Sequence, residues 1–178
     1  MKSIIKLQTR RLVLRELTAD DVNNLRTILQ DADVMYAWEA PFTDEEVKNW
    51  LVENLRRYKT DGFSFWAVER KKDGGFIGVC GPLIETINGV RHMGIAYIFA
   101  KACWGNGYAA EAAAGCVNYA FNVFGAKEVI AEIRPENKKS RRVAERLGMQ
   151  VKSSFVKIYK GKEMPHLIYA LTKENENV

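Results

Sequence analysis

From Arg11 to Leu17 the chain reads as an alternating strand. Thr18-Ala-Asp-Asp21 then supplies a helix cap with an acid at its third position, and Val22, Leu25 and Leu29 set an inner stripe for a helix through about Asp31. A second box, Thr43-Asp-Glu-Glu46, opens a helix with Val47, Trp50, Leu51, Leu55 and Tyr58 on one side. Three strands follow, Phe63 to Glu69, Phe76 to Ile87 and Arg91 to Ala100, separated by Lys71-Lys-Asp-Gly-Gly75 and by Asn88-Gly89. Asn-Gly between apolar runs is a strong hairpin signal, so these strands form an antiparallel meander.

After them a helix carries Ala109, Ala113, Cys116, Val117, Ala120 and Phe124 on one stripe, with its smallest residues first, so that this end can approach a sheet closely. A strand Lys127 to Ile133 comes next, and a helical crossover makes it parallel to the strand before the helix. Asn137 caps a helix running to Leu147 with Gly148 as its stop. Gln150 to Lys157 and Met164 to Leu171 close the chain as an antiparallel pair around Lys160-Gly161, before a polar tail, Lys173 to Val178, that is expected to fray. The prediction is an α/β (α+β) fold: a mixed, mostly antiparallel sheet of about seven strands with about four helices. No repeat or linker interrupts it, so residues 1–178 are expected to be a single domain.

The stretch Tyr97 to Phe124 organises this pattern. Gly105-Asn106-Gly107 sits between a strand and a helix that begins with small residues, where tight turning leaves bare N–H groups at a helix N-terminus. Such a site suits phosphate oxygens, although the same glycines also serve a simple turn. The loop Asp33 to Phe42 holds Met35, Tyr36, Trp38 and Phe42, a concentration of large apolar groups expected in a core plug or in a ligand-pocket wall.

Composition narrows the class further. With 47% hydrophobic and 28% charged residues the chain is an ordinary globular protein, neither disordered nor fibrous. Its apolar runs are too short to span a membrane, and the first residues lack a signal-peptide cleavage region, which makes the cytoplasm the expected location. Cys80, Cys103 and Cys116 show no Cys-x-x-Cys spacing and lie among apolar neighbours, as buried reduced thiols do; no metal site is implied. The net charge of +5 is moderate, and Lys138, Lys139, Arg141 and Arg142 gather at the start of one helix, either beside a docked phosphate or on a solvated face.

Trp104-Gly-Asn-Gly-Tyr-Ala109, with Glu111-Ala112 behind it and Asn137, Ser140, Leu147 and Gly148 further on, resembles the GNAT superfamily of N-acetyltransferases. The likeness is strongest to its RimJ/RimL-like branch, which includes ribosomal-protein alanine N-acetyltransferases; Thr9-Arg-Arg-Leu-x-Leu-Arg15 matches that branch too. The resemblance implies acetyl-CoA as co-substrate and a primary amine as acceptor, at a protein N-terminus or on a small molecule. Backbone groups of Gly105, Asn106, Gly107, Tyr108 and Ala109 would hold the pyrophosphate, with Trp104 at the motif's first position. The pantetheine arm would lie along Ile98, Phe99 and Ala100, in a slot where that strand splays from Lys127 to Ile133, with Asn137 opposite. Ser140 would serve the leaving thiolate, and N–H groups near Phe99 the oxyanion. The family's glutamate and tyrosine positions fall on Gly94 and Ala144, which leaves Glu39, Glu85, His166 or a water chain as base. A homodimer is expected from the family, and nucleic acid is expected only by way of a ribosomal-protein substrate.

Two other readings stand beside this one. Gly105-x-Gly107-x-x-Ala110 with Glu128 meets a relaxed dinucleotide-binding pattern, but an antiparallel meander before it is the wrong setting. A non-catalytic acyl-CoA-binding or RNA-associated module is the alternative of another class; no RNA-clamp motif supports the latter.

Overall fold

Hairpin chemistry and register build the sheet. Asn88 and Gly89, both at positive φ (50° and 80°), join β4 (Phe76–Ile87) to β5 (Val90–Phe99), and Ile87 faces Val90 across the turn. Lys160 and Gly161 (49° and 76°) do the same between β7 (Gln150–Tyr159) and β8 (Lys162–Thr172). The computed structural model describes residues 3–174, so most of the expected frayed tail lies outside the described residues.

Among the described residues the sheet has eight strands, where about seven were expected, in the order β1-β2-β3-β4-β5-β6-β8-β7. The addition is β1 (Ile5–Gln8), which pairs with β2 (Leu12–Glu16) at one edge. It covers four residues and leaves Ile5 56% exposed, so no inward-outward alternation marks it. β3 (Trp66–Arg70) joins β2 to β4, and β6 (Glu128–Ile133) pairs antiparallel with β8 over its whole length. Among the described residues the one parallel contact is between β5 and β6, and it holds a single register pair, Gly94 with Ile130. Beyond that pair the strands part.

Two apolar layers lie on opposite faces. One carries Leu17, Leu25, Val47, Phe65, Leu83 and Ile98 under α1 (Val22–Leu29) and α2 (Asp44–Thr60); α1 starts after a 3-10 turn, Ala19–Asp21, so the first cap opens that turn instead of the helix. The other carries Leu12, Leu14, Trp66, Ile95, Phe99, Val129 and Tyr169 under α3 (Tyr108–Asn122) and α4 (Lys138–Arg146). The inner stripe of α3 is Ala112, Ala113, Cys116, Val117, Ala120 and Phe121, turned from the expected one so that Ala109 and Phe124 lie at its half-buried margins. Small residues bring this helix against β4 and β5. Replacing the fully buried Ala113 by Leu overfills that contact and is expected to cost about 1–3 kcal/mol in a urea titration; an unchanged midpoint would contradict such close packing.

Candidate active site

The glycine loop takes the shape its residues allow. Gly105 and Gly107 both have positive φ (79° and 76°), and Gly107 is the N-cap of α3 without a side-chain cap, which leaves first-turn N–H groups bare. The Asn106 amide donates to the carbonyls of Cys103 (3.1 Å) and Trp104 (3.2 Å), and the Trp104 indole donates to Phe99 O (3.0 Å). Glu111 accepts from the Thr9 hydroxyl (2.6 Å), Arg11 N (2.7 Å) and Arg11 Nε (2.7 Å), tying α3 to the β1–β2 turn. Arg11 also lies 4.5 Å from the Tyr108 ring, and Lys139 lies 3.6 Å from that of Trp104. Arg141 is turned inward instead, donating to the Tyr169 hydroxyl (3.0 Å) and Pro135 O (3.1 Å), so it leaves the expected cationic cluster.

Where β5 and β6 part, a cavity of about 860 Å³ opens between them. Ala100 gives its N–H to Ile77 O across the ladder, so antiparallel alternation turns Ile98 toward β4 as well and leaves Tyr97 and Phe99 facing the slot. Of the three residues expected along the pantetheine arm, only Phe99 therefore presents backbone there. On the α4 side the Ser140 hydroxyl donates to the Tyr97 hydroxyl (3.0 Å), which donates to Ser140 O (2.8 Å). Burial raises the Tyr97 phenol well above its ordinary range, so it stays protonated. Asn137 Oδ1 accepts from Ser140 N (3.2 Å), as a helix cap, and from the Tyr36 hydroxyl (2.7 Å).

That second bond belongs to a strap. The segment 33–42 runs over the slot and is tied by Lys101 to Asp33 (2.6 Å), by Arg134 to Ala37 O (3.0 Å), and by Lys162 to Glu39 (2.7 Å). Met35 is its buried plug, whereas Trp38 and Phe42 line the cavity, so both expectations for this loop hold.

The three candidate bases separate clearly. Glu39 is bound by Lys162 and approached by Arg134 (3.4 Å), and the Lys162 hydrogen bond leads in holding its carboxyl below the usual range; it anchors the strap. His166 bonds Met164 O through Nδ1 (2.8 Å), and since a carbonyl only accepts, Nδ1 carries the hydrogen and Nε2 is the basic nitrogen. Burial lowers its pKa. Glu85 lines the cavity and is pushed up to about 7, first by burial and then by repulsion from Glu132, whose side chain is only 8% exposed.

Sequence reasoning passed over Tyr97 and Glu132. Each had a signal: Tyr97 shares a face with Phe99 two residues on, and Glu132 is the acid inside an apolar strand, opposite in direction to Ala131 and Ile133. Among the described residues no cluster of His, Cys, Asp or Glu could hold a metal ion, and no helix is long and apolar enough to cross a membrane.

A profile of the acetyltransferase (GNAT) domain matches residues 11–150. The chain belongs to the GNAT acetyltransferase family. It is 39% identical over 150 residues to the uncharacterised protein YkkB of Bacillus subtilis, covering 84% of this chain and 87% of that one. It is 32% identical over 183 residues to the FsC-acetyl coenzyme A-N(2)-transacetylase of Aspergillus fumigatus, covering 94% and 76%. Among solved structures, a GNAT-family acetyltransferase from Bacillus anthracis superposes with a TM-score of 0.80 at 25% identity, covering 97% of this chain and 99% of the other. GNAT acetyltransferases use acetyl-CoA. The bare amides at α3 and the slot beside them fit its pyrophosphate and its extended arm.

The raised Glu85 pKa carries a stability consequence. Below the unfolded value, 4.5, the carboxyl is protonated in both states and costs nothing; between 4.5 and about 7 the unfolded chain ionises it while the folded protein keeps the proton, so stability falls across that window and levels off above it. The Glu85→Gln variant is expected to match wild type near pH 4 and to exceed it near pH 8 by on the order of 2 kcal/mol, after allowance for water at the cavity mouth. Thermal unfolding at the two pH values checks this; parallel curves would mean that Glu85 is not perturbed.

Proposed function

We propose that this protein transfers an acetyl group from acetyl-CoA directly to a primary amine, with Ser140 and Tyr97 serving the leaving sulfur. The observation that carries the reading is the paired hydroxyls of Ser140 and Tyr97 on the wall of a slot whose far end is a bare helix N-terminus. First-turn amides from Tyr108 onward bind the pyrophosphate, and Lys139 and Arg142 add positive charge at the same mouth. Phe99 N–H faces the slot where a thioester carbonyl gains negative charge, so it can stabilise the oxyanion.

At the sulfur, Ser140 is the donor closest in chemistry to need. Its hydroxyl turns from Tyr97 to the developing thiolate, while Tyr97, still protonated, holds the serine carbonyl and keeps the α4 N-terminus against β5. The amine must arrive with a lone pair, because an ammonium of pKa ~8–10 cannot attack. Non-catalytic acyl-CoA binding is the second reading, and it predicts cofactor affinity without thiol release from any amine.

Two variants test the assignment. Gly107→Val places a branched side chain at a positive-φ position beside Arg11 and is expected to weaken acetyl-CoA binding by at least about tenfold. An unchanged Kd in folded protein would discredit the loop. Ser140→Ala is expected to lower kcat by roughly 10- to 100-fold with little change in the acetyl-CoA KM, and Tyr97→Phe to do so by less. Wild-type kcat in both variants would remove the hydroxyl pair from the reaction.

A further inference from the structure

Gly94 is a notch in β5. A Cβ built there would lie 2.4 Å from Glu85 Cγ and 3.4 Å from Glu85 Cβ, so the Glu85 side chain occupies the space that any other residue at position 94 would fill. Leu83 faces Gly94 across the ladder and Glu85 faces His92, so Glu85 reaches from β4 diagonally over β5. On the far side of the notch Gly94 pairs with Ile130, two residues before Glu132, and Ile130 and Glu132 share a face. That face is the α1/α2 side: Ile87, Ile130 and Ile168 cluster on it, and Ile87 lies two residues beyond Glu85. Two carboxylates thus converge from β4 and β6 over a glycine, at the point where β5 and β6 separate.

We propose that Glu85, held against Glu132 over the notch at Gly94, binds the acceptor's ammonium and takes its proton, and that the acceptor is a compact primary amine with an apolar body. This rests on the acetyl-transfer reading above. The hydroxyl pair of Tyr97 and Ser140 lies toward α4, and the carboxylates lie toward α1 and α2, so the sheet places the two ends of the reaction on opposite sides of one slot. The cavity that Glu85 and Glu132 line is also lined by Trp38, Phe42, Trp50 and Phe65, which suit an apolar substituent. The strap at 33–42 is tied down over the cavity by Arg134 and Lys162, which bounds the space open to the acceptor.

Charges around Glu85 come from every neighbouring element: His92 on β5, Glu132 and Arg134 on β6, Lys157 on β7, His166 on β8, and Glu53 and Arg57 on α2. Of the three nearby cations, Arg134 is held by Ala37 O (3.0 Å) and Glu136 (2.6 Å), Arg57 by Glu53 (3.1 Å), and Lys157 by Glu132 (3.4 Å), so none forms an ion pair with Glu85 among the described residues. Glu85 is therefore left to receive a cation from outside. The step balances as follows. The ammonium nitrogen gives one proton to the Glu85 carboxylate, which later passes it to solvent. Its lone pair forms the C–N bond as the C–S bond breaks, and the nitrogen's second proton balances the thiolate through the Ser140 hydroxyl.

Phenethylamine is the probe, beside a short peptide with a free N-terminus. Wild-type kcat with phenethylamine is expected to fall on the acid side with a midpoint near 7. In E85Q kcat should drop at least about 100-fold and lose that limb, with acetyl-CoA affinity unchanged, while in E132Q the limb should move to lower pH, because a like charge is gone. Without turnover, quenching of Trp38 and Trp50 by phenethylamine in the CoA-loaded protein should weaken at least about tenfold in either variant. The proposal is overturned by E85Q with wild-type kcat and limb, by preference for the peptide, or by unaltered phenethylamine binding in both variants. If acetyl-CoA itself fails to bind, or no amine at all releases thiol, the underlying reading fails instead and the proposal goes with it.

Discussion

The rest of the structure depends on the early parting of β5 and β6. A fully zipped parallel pair would satisfy every backbone group along both strands and close the sheet. Here pairing stops at Gly94 and Ile130, and the backbone edge of Tyr97 and Phe99 is left for another extended chain. α3 follows directly from that edge through the glycine loop, so the opening and the bare helix N-terminus are consecutive in the chain. Any force that closed the two strands would abolish both.

What holds the strands apart is visible on both faces. α4 leans on β5 through Tyr97 and Ser140, and the strap leans on β6 through Arg134. Over the notch, burial first and the neighbouring Glu132 second push the Glu85 pKa up. A buried pair of like charges is costly, and its retention beside a large cavity is the pattern expected of a site and not of a core. Glu111 secures the start of α3 by joining it to the Thr9–Arg11 turn with three short hydrogen bonds.

Much of this was legible beforehand. The Asn88-Gly89 and Lys160-Gly161 turns located both hairpins, and the parallel crossover around α3 followed from strand-helix-strand order. β1 was not legible, because four residues at a half-exposed edge carry no period. Gly94 was seen as the loss of a glutamate, but its partner was hidden by treating strands singly. The two-residue turn sets Ile87 opposite Val90, which places Glu85 opposite His92 and next to Gly94, so the crossing was derivable from register. The roles of Glu39 and Arg141 were not derivable, since each depends on partners far along the chain, Lys162 and Tyr169.

The most direct measurement is isothermal titration of the protein with acetyl-CoA, with CoA and NADH run beside it. The slot between β5 and β6, with bare amides at its mouth, predicts micromolar binding of acetyl-CoA and CoA and none of NADH. Absence of binding by either thioester or thiol would contradict the account and leave Gly105-Asn106-Gly107 as an ordinary turn.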